Sequence, residues 1–282
     1  MNILTFDIEE WFHLLNYKYS KTETDWNHYP ARISANVDNI LDTLQKYDRK
    51  ATFFILGWIA EKYPSLVKKI ASRGYEIGCH TGYHKMIHEM TPESFRNDIL
   101  RSIIIIEDVS GQKVRSFRAP GFSLKTRQKW AFEILAESGI EIDSSMFPSF
   151  FSLDYRPSFP ESKPFLLKYN GLALKELPMS FRNFPGFHVV FSGGGYFRLC
   201  PYPLLSRWTK QSPYLMSYLH PRDLDATQPM LKGLSMIRKF RSYTGIKGAQ
   251  AKFERWLGDF EFTDVSTANE MIDWDHAKVL AL

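Results

Sequence analysis

The sequence predicts an α/β fold with a parallel β-sheet. Through the first half of the chain, short apolar runs alternate with longer segments of helical periodicity, an alternation typical of βαβ units. The chain has 282 residues, of which 44% are apolar, enough for one large domain with a sizeable core. We therefore predict a single domain over residues 1–282, in which residues 231–282 form a C-terminal extension packed on the rest.

The first half of the chain supplies the repeating units. Gly74 suits the end of a helix, and Thr91 followed by Pro92 suits the start of one. The predicted strands are the apolar runs Ile3–Ile8, Ala51–Leu56, Tyr75–Cys79, Lys113–Arg118 and Ile140–Asp143. The predicted helices carry apolar residues at helical spacing over Ser34–Tyr47, Ile59–Arg73, Thr91 to about Val109, and Thr126–Glu137.

The βα alternation stops after Asp143. Residues 147–187 are rich in proline and aromatic side chains, and we interpret them as an aromatic insertion that either lines a ligand-binding cleft or only packs on the sheet. Within it, Leu172–Leu177 predicts an antiparallel strand. The segments that follow predict a helix over Tyr202–Lys210, a strand over Tyr214–His220, and a helical tail with a terminal strand near Phe260–Val265.

Composition narrows the functional classes. The chain carries 36 basic and 31 acidic residues, a net charge of +5. This excess is compatible with an anionic substrate or an acidic membrane surface and requires neither; we expect no nucleic-acid partner. No run of eighteen apolar residues is present, which argues against a transmembrane helix. A strand pattern begins at Ile3 without a leader, and two cysteines give no disulfide framework. These features predict a cytoplasmic protein and leave its oligomeric state open.

Basic residues concentrate near the C-terminus. Between Leu231 and Leu257 there are seven basic residues against one acidic residue, Glu254. The plainer interpretation is a solvated helical face. The alternative is a surface close to phospholipid headgroups or to a substrate phosphate, which predicts peripheral contact with the inner membrane.

Five short motifs occur in an order that suits one hydrolytic metal site. Together they offer acid ligands, a His pair, a general base, an orienting Arg and a general acid, which metal-assisted hydrolysis uses. No motif is decisive alone, and their order between strand-like runs carries the prediction. The motifs are Thr5–Glu10, His80–His84, Arg118–Gly121, Asp143–Ser145 and Leu219–Pro221.

Asp7 and Glu9 are two residues apart at a strand end, so both side chains project to one face. One carboxylate can hold a metal ion while the other accepts a proton from water. The alternative is an ordinary ion pair, or contact with solvent only. Strand alternation directs Glu10 to the opposite face.

His80 and His84 are four residues apart, so in a helical turn both rings reach one ion. His84 and His88 have the same spacing. His80, however, directly follows the predicted strand Tyr75–Cys79, at the carboxyl end where α/β barrels place their chemistry. We therefore favour the first pair, and expect His88 at the surface and Cys79 in the core.

Three further residues end predicted strands. Arg118 can orient a base carboxylate through a bidentate contact, or form a structural ion pair. Asp143 can orient a His, or it can be a helix N-cap or a turn residue. His220 suits a general acid that protonates a leaving amine, although a His in the core is the alternative.

The ordered motifs resemble those of the polysaccharide deacetylase (NodB-homology) family, over essentially the whole chain. Gly194–Arg198 and Tyr218–Pro229 resemble a branch often associated with bacterial exopolysaccharide clusters. The resemblance implies a distorted (β/α) barrel of about seven parallel strands. Here the barrel would carry the aromatic insertion and the helical C-terminal extension.

The resemblance also implies a divalent ion, usually zinc, and a role for each motif residue. Carried over, the metal ligands are Glu9, His80 and His84, the general base is Asp7, Arg118 positions Asp7, and Asp143 supports His220 as the general acid.

Three positions depart from the family pattern. The commonest members have an Asp ligand next to the base, whereas Glu9 lies two residues after Asp7, which leaves the metal identity open. Gly121 stands where an aromatic residue is frequent, and its backbone N–H can still serve an oxyanion. Arg222 follows Pro221 where the branch has Trp, and adds a positive charge at the cleft mouth.

These assignments predict a metal-dependent hydrolase that removes an N-acetyl group from an N-acetylated sugar of a bacterial polysaccharide or its precursor. The absence of a leader favours a lipid-linked or nucleotide-linked sugar as the substrate. The alternative is a metal-independent or formyl-specific amidohydrolase acting on a small molecule or a carrier-linked sugar. A non-catalytic glycan-binding protein would be expected to lack Asp7 or His220, and both are present.

Overall fold

The computed structural model describes residues 1–15, 17, 19–20, 22–147, 163–184 and 187–282. Residues 148–162 and 185–186 of the aromatic insertion lie outside this description, and for them the role in lining a cleft stays a prediction. The strands are β1 (Asn2–Ile3), β2 (Thr5–Ile8), β3 (Thr52–Ile55), β4 (Glu76–Cys79), β5 (Ser116–Phe117), β6 (Ile142–Asp143), β7 (Phe165–Tyr169), β8 (Leu172–Glu176), β9 (Arg182–Phe184), β10 (Phe187–Val189), β11 (Leu215–Met216) and β12 (Lys278–Ala281).

Helices alternate with the strands up to β6, as the sequence predicts. The α-helices are α1 (Glu23–Trp26), α2 (Ile33–Lys46), α3 (Gly57–Lys62), α4 (Pro64–Ser72), α5 (Pro92–Ser110), α6 (Lys129–Glu137), α7 (Gly194–Leu199), α8 (Tyr202–Lys210), α9 (Met236–Tyr243), α10 (Ala249–Asp259) and α11 (Val265–Met271). Short 3₁₀ turns cover Ile87–Glu89, Pro120–Phe122, Pro221–Leu224 and Ile246–Gly248.

The central sheet is parallel from β2 to β8 in the order β2-β3-β4-β5-β6-β8. On the other side of β2, a parallel bridge joins Phe6 to Leu219, and β11 pairs with β1. The gap between β8 and β11 is spanned by a side chain, because the Ser180 hydroxyl accepts the Met216 N–H at 2.8 Å. Seven parallel strands (β2 to β6, β8 and β11) therefore surround the core, and the predicted α/β fold is confirmed.

The hairpin of β7 and β8 extends the sheet beyond its parallel part. Its turn has Asn170 and Gly171 at φ 48° and 77°, the positive values that a two-residue hairpin turn requires. The antiparallel strand predicted over Leu172–Leu177 is present as β8, which pairs antiparallel with β7. β8 also pairs in parallel with β6, so it belongs to the main sheet as well as to the insertion.

The helix predicted over Ile59–Arg73 is wrong as a single element, because Pro64 divides it. Proline lacks the N–H that would continue α3 and is favoured in the first turn of a helix, so α4 begins at Pro64. The start predicted at Thr91 is confirmed, since its hydroxyl accepts the Ser94 N–H at 3.2 Å.

The terminal strand predicted near Phe260–Val265 is also wrong. Asp264 accepts the Thr267 N–H at 2.7 Å and caps α11, so the chain turns helical where a strand was expected. Among the described residues, this segment keeps one parallel bridge, between Thr263 and Ile3. The C-terminal strand β12 instead forms the edge of the main sheet, where it pairs with β7.

The core contains side chains from both halves of the chain. The apolar stripe of α2 packs inward with Val37 and Leu41 fully buried, and α10 contributes Phe253 and Trp256 to the same cluster. Within the part of the chain that the structure describes, no helix is long and apolar enough to cross a membrane.

Candidate active site and metal centre

The motif residues lie at the carboxyl ends of the parallel strands. Asp7 is in β2, His80 directly follows β4, and Arg118 directly follows β5. Backbone hydrogen bonds fix the register at these ends, since the His80 N–H donates to the Ile55 carbonyl at 2.8 Å. Residues distant in sequence therefore face one opening of the barrel.

Arg118 is fully buried and binds Asp7. Its Nη1 donates to Asp7 Oδ1 at 2.9 Å, and its Nε and Nη2 donate to the carbonyl and hydroxyl oxygens of Ser144. The guanidinium also lies 4.4 Å from the centroid of the Phe54 ring, a favourable cation–π distance. The predicted contact with Asp7 is present, but it uses one nitrogen and is not bidentate, because Nε and Nη2 donate to Ser144 instead.

His80 and His84 lie in a loop, so the predicted helical turn is wrong. Thr81 and His84 have φ 65° and 55°, a left-handed conformation that is unusual for any L residue and most of all for a β-branched one. The loop is held by α5, where Asp98 accepts the Gly82 N–H at 2.7 Å. Backbone strain of this kind clusters at functional sites, and here it sets the direction of the second His.

Glu9, His80 and His84 converge. One ligand atom from each lies within 4.8 Å of the others. Two imidazoles and one carboxylate form a common catalytic zinc set, which leaves a fourth position for water or substrate. With metal–ligand bonds of about 2 Å, donor atoms lie roughly 3–4 Å apart, so small side-chain movements would close the set around an ion.

The protonation states also suit metal ligands. His80 Nδ1 donates to the Arg118 carbonyl at 2.7 Å, which leaves Nε2 with its lone pair for an ion. Burial lowers the pKa of His80 to about 4, so its ring is neutral at neutral pH. Burial raises the pKa of Glu9, but the charge and contact of His84 outweigh it and hold the pKa below its usual range. Glu9 Oε2 is buried 2.6 Å from His84 Nε2 and accepts no well-directed hydrogen bond from the described residues.

His220 lies close to both acids, Asp7 and Glu9. Its Nε2 lies 3.9 Å from Asp7 Oδ2 and 3.7 Å from Glu9 Oε1, and its Nδ1 lies 2.8 Å from Asp223 Oδ2. Burial lowers the pKa of His220, but the hydrogen bond with Asp223 and the nearby carboxylate charges outweigh burial and raise it to about 9. A proton on Nε2 therefore points into the site.

Asp223 supports His220, so the prediction that Asp143 does so is wrong. Burial raises the pKa of Asp223, but His220 and Arg198 lower it to about 2. Arg198 Nε lies 3.0 Å from Asp223 Oδ1. His220 therefore belongs to a buried row of alternating charges that also includes Asp223 and Arg198.

Asp143 instead pairs with Glu176, its neighbour in the register of β6 and β8. Burial raises the pKa of both carboxyl groups, and the charge of Asp143 raises that of Glu176 well above its usual value. The Ser145 hydroxyl donates to Asp143, and the Met146 N–H donates to Glu176 Oε1 at 2.9 Å. These shifts favour a protonated carboxyl group in the pair, and more so at Glu176 than at Asp143.

Sequence reasoning missed Asp223 and Arg198, although both had a signal. Asp223 is three residues after His220, the spacing at which a turn returns a carboxylate to its first residue, and it accepts the His220 N–H at 3.0 Å. Arg198 ends the Gly194–Arg198 motif, which suggested a family branch but no role.

His13 was also missed, and nothing in its sequence context distinguishes it. Its Nδ1 accepts the Glu10 N–H at 3.3 Å, and its ring packs 4.2 Å from that of Trp26. Burial lowers its pKa to about 3, so the ring is neutral beside the candidate metal ligands. Glu10 turns away, as predicted, and accepts the N–H groups of Arg32 and Ile33 at the start of α2.

A cleft of about 300 Å³ opens over these groups. Gly121 lines it with φ 59°, and a Cβ there would lie 2.6 Å from the end of the Leu15 side chain, so the position favours glycine. The hydrogen bonds of this 3₁₀ turn are donated by Phe122 and Ser123, and the Gly121 N–H takes no part in them. Another cavity, of about 320 Å³, lies between α3 and α5 and contains none of the motif acids or histidines.

Comparison with known proteins identifies the family. Residues 4–140 match the family model described as "Polysaccharide deacetylase". This part of the chain belongs to the polysaccharide deacetylase family. Residues 144–270 match a second model, described as "Domain of unknown function (DUF3473)", in agreement with the exopolysaccharide-associated branch that the sequence resembles.

A curated relative of this chain is a peptidoglycan-N-acetylglucosamine deacetylase of Bacillus cereus. It is 33% identical over 127 residues, which cover 45% of this chain and 46% of the relative. The chain thus spans less than half the length of that enzyme.

Solved structures confirm the distorted barrel of the deacetylase family. A structure described as a putative polysaccharide deacetylase from Mycobacterium smegmatis has a TM-score of 0.64 at 19% identity, covering 96% of this chain and 88% of the other. A Bacillus anthracis protein described as a CE4 family pseudoenzyme has a TM-score of 0.52 at 14% identity, covering 95% and 64%. The fold therefore includes a pseudoenzyme, and activity must be argued from the residues of the site.

Proposed function

We propose that this chain is a metal-dependent N-deacetylase that hydrolyses the N-acetyl group of an N-acetylated sugar in a bacterial glycan or its precursor. The observation that carries the proposal is the convergence of Glu9, His80 and His84 beside two groups able to transfer protons, Asp7 and His220. Its further support is the named activity of the Bacillus cereus relative.

Glu9, His80 and His84 would hold the ion, and zinc is the divalent ion that this donor set favours. When bound, the ion polarises the acetamide carbonyl and lowers the pKa of a water molecule. The protein's contribution is to keep the His80 imidazole neutral and the Glu9 carboxylate ionised, and the contacts of His80 and Glu9 favour those states.

Asp7 is the general base of the proposed reaction. It accepts a proton from the water whose oxygen forms the new bond to the acetyl carbon. The Arg118 guanidinium donates to this carboxylate and fixes its position. The oxygen of the former carbonyl then carries negative charge, and the N–H of Gly121 is placed at the cleft to stabilise it.

His220 is the general acid. Its Nε2 gives a proton to the sugar nitrogen as the carbon–nitrogen bond breaks, so the products are acetate and a free amine. Asp223 holds Nδ1 at 2.8 Å, which fixes the ring orientation and stabilises its charged form before transfer.

The cleft favours a sugar that carries a phosphate, as lipid-linked and nucleotide-linked precursors do. Arg222 and Arg241 line it with His220. Arg222 is 6% exposed, and its Nη2 is buried without a hydrogen-bond partner among the described residues. The two guanidinium groups would attract a phosphate at the cleft. Arg222→Gln should then raise KM for carrier-linked sugars more than for free oligosaccharides, and an equal change for both would remove the preference.

The test measures products and metal together. The purified chain is depleted of metal with a chelator, reloaded with zinc, and given N-acetylated and N-formylated forms of free and carrier-linked glucosamine. We expect acetate and amine in equal amounts, loss of turnover on chelation, and recovery with zinc. Glu9→Gln is the matched variant and should lose both zinc and turnover. Full activity after chelation, or faster release of formate than acetate, would support the amidohydrolase alternative instead.

A further inference from the structure

The apolar side chains of α9 point outward. Met236, Ile237 and Phe240 are 79%, 66% and 56% exposed, and no residue of α9 is buried. At about 100° per residue, these three side chains share a sector of roughly 100°. The apolar sector of an ordinary surface helix faces the core, so the orientation of α9 is reversed.

Polar contacts hold the opposite side of α9 to the protein. Arg238 donates to the Leu15 carbonyl, and Arg198 donates to the carbonyls of Arg241 and Ser242 at 2.7 and 3.0 Å. The helix is thus anchored by hydrogen bonds, and its outward sector is available for a partner.

The charged residues of the segment that contains α9 are all basic. Residues 230–252 contain six basic residues and no acidic residue. Lys239 and Arg241 border the apolar sector on its two sides, as the helical period places them. Lys232 and Lys247 are exposed just before and after the helix. Exposed apolar residues bordered by cations are typical of helices that lie in a membrane interface.

We propose that α9 docks the protein on an anionic phospholipid surface, with Met236, Ile237 and Phe240 inserted among the headgroups. Charge complementarity selects this occupant, because cations on both borders of an apolar sector match a continuous negative surface. A docked protein would have to supply both an apolar face and acids around it.

Docking of α9 would bring the cleft to the lipid. Arg241 and Ser242, at the end of α9, also line the cleft, and so does Leu15, whose carbonyl Arg238 contacts. A sugar on a lipid carrier would then enter from the bound surface. The docking itself does not depend on the proposed chemistry, and binding and turnover are measured separately.

Vesicle sedimentation tests the docking. The full chain is mixed with vesicles of phosphatidylglycerol and phosphatidylcholine, or of phosphatidylcholine alone, at about 0.05 M and about 0.5 M salt, between which the Debye length falls roughly threefold. We expect binding to the anionic vesicles at low salt and much less at high salt. Met236→Ser/Ile237→Ser/Phe240→Ser should weaken it at least about 50-fold, and Lys232→Gln/Lys239→Gln roughly 10–30-fold.

A matched control uses exposed apolar residues far from this sector. Leu100 and Ile104 on α5 are 40% and 59% exposed, and Leu100→Ser/Ile104→Ser should bind vesicles as the unaltered chain does. Circular dichroism should show all variants folded, since every altered side chain is partly or largely exposed. No sedimentation with anionic vesicles at low salt overturns the proposal, as does equal binding by the triple variant. Self-association that the triple variant abolishes, without vesicle binding, would identify a second copy as the occupant instead.

Discussion

Two pairs of buried acids lie at the same end of the barrel, and they differ in what surrounds them. Asp7 and Glu9 face the cleft, where Arg118, His84 and His220 approach their oxygens. Asp143 and Glu176 lie inside the barrel, where their contacts are hydroxyl and backbone N–H groups.

The difference decides which acid is ionised. Burial favours the neutral form of every carboxyl group, and the partners determine whether it prevails. Next to His84, the pKa of Glu9 is lowered, whereas the pKa of Glu176 is raised beside another acid. A buried acid of this barrel is therefore available for ligation or proton transfer only where a cationic or imidazole partner faces it.

Asp7→Asn tests the role of the first pair and has the largest expected effect. The amide keeps the shape of the side chain but cannot accept a proton, so kcat should fall roughly 10²–10⁴-fold, the contribution of a positioned general base. The measurement is acetate release by the zinc-loaded protein. Zinc content is the control and should be unchanged, because Glu9 and the two histidines are the assigned ligands. Normal turnover, or loss of zinc, would mean that the roles of Asp7 and Glu9 are misassigned.

Asp223→Asn tests the acid that faces His220. An amide cannot stabilise the charged ring as a carboxylate does, so kcat should fall about 10²-fold. The measurement is steady-state kinetics with circular dichroism as a check on folding. If kcat is unchanged, the contact between Asp223 and His220 does not serve proton transfer.

Asp143→Asn is the matched variant in the second pair. It removes one acceptor from a buried hydrogen-bonded group, so the free energy of unfolding should fall by about 1–3 kcal/mol. Denaturant unfolding measures this loss. In the folded protein kcat should stay within about a factor of three of the unaltered value, since no reacting group is touched. A drop in kcat as large as that of Asp223→Asn would restore the role that the sequence first suggested for Asp143.

The contrast also shows which parts of the site local sequence can predict. Asp7, His80 and Arg118 were predictable because each ends an apolar strand, and parallel strands bring their ends together. The position of a residue at a strand end does not reveal, however, which other side chains it contacts. The partner of Asp143 depends on the pairing of β6 with β8, which joins segments separated by the insertion.

Backbone conformation in the loop between His80 and His84 was beyond the sequence pattern. A four-residue spacing indicates a helical turn, but Thr81 and His84 adopt positive φ. The reason is tertiary, since Asp98 on α5 binds the Gly82 N–H and holds the loop open. The fold was predicted more directly than the site, because βα periodicity repeats along the chain. The errors in the predicted elements lie where Pro64 and Asp264 start new helices.

Glu176→Gln tests the protonated carboxyl group of the second pair and has the smallest expected effect, one that depends on pH. The pKa of Glu176 is raised in the folded protein above its ordinary value of 4.5. Its protonated state therefore stabilises the fold fully below that value. The stabilisation is lost as pH rises from there towards the raised pKa, by about 1.4 kcal/mol for each pH unit that separates the two values.

Glutamine keeps the donor to Asp143 and the acceptor for the Met146 N–H, but it does not titrate. The Tm of Glu176→Gln should therefore increase relative to the Tm of the unaltered chain as pH rises from about 4.5 upward. Thermal melts of both proteins across this range measure the difference. Contributions from groups that do not interact with Glu176, including the opposite one from Glu9, cancel in it. Parallel Tm curves would show that Glu176 is not protonated in the fold, and the two acid pairs would then be alike in charge.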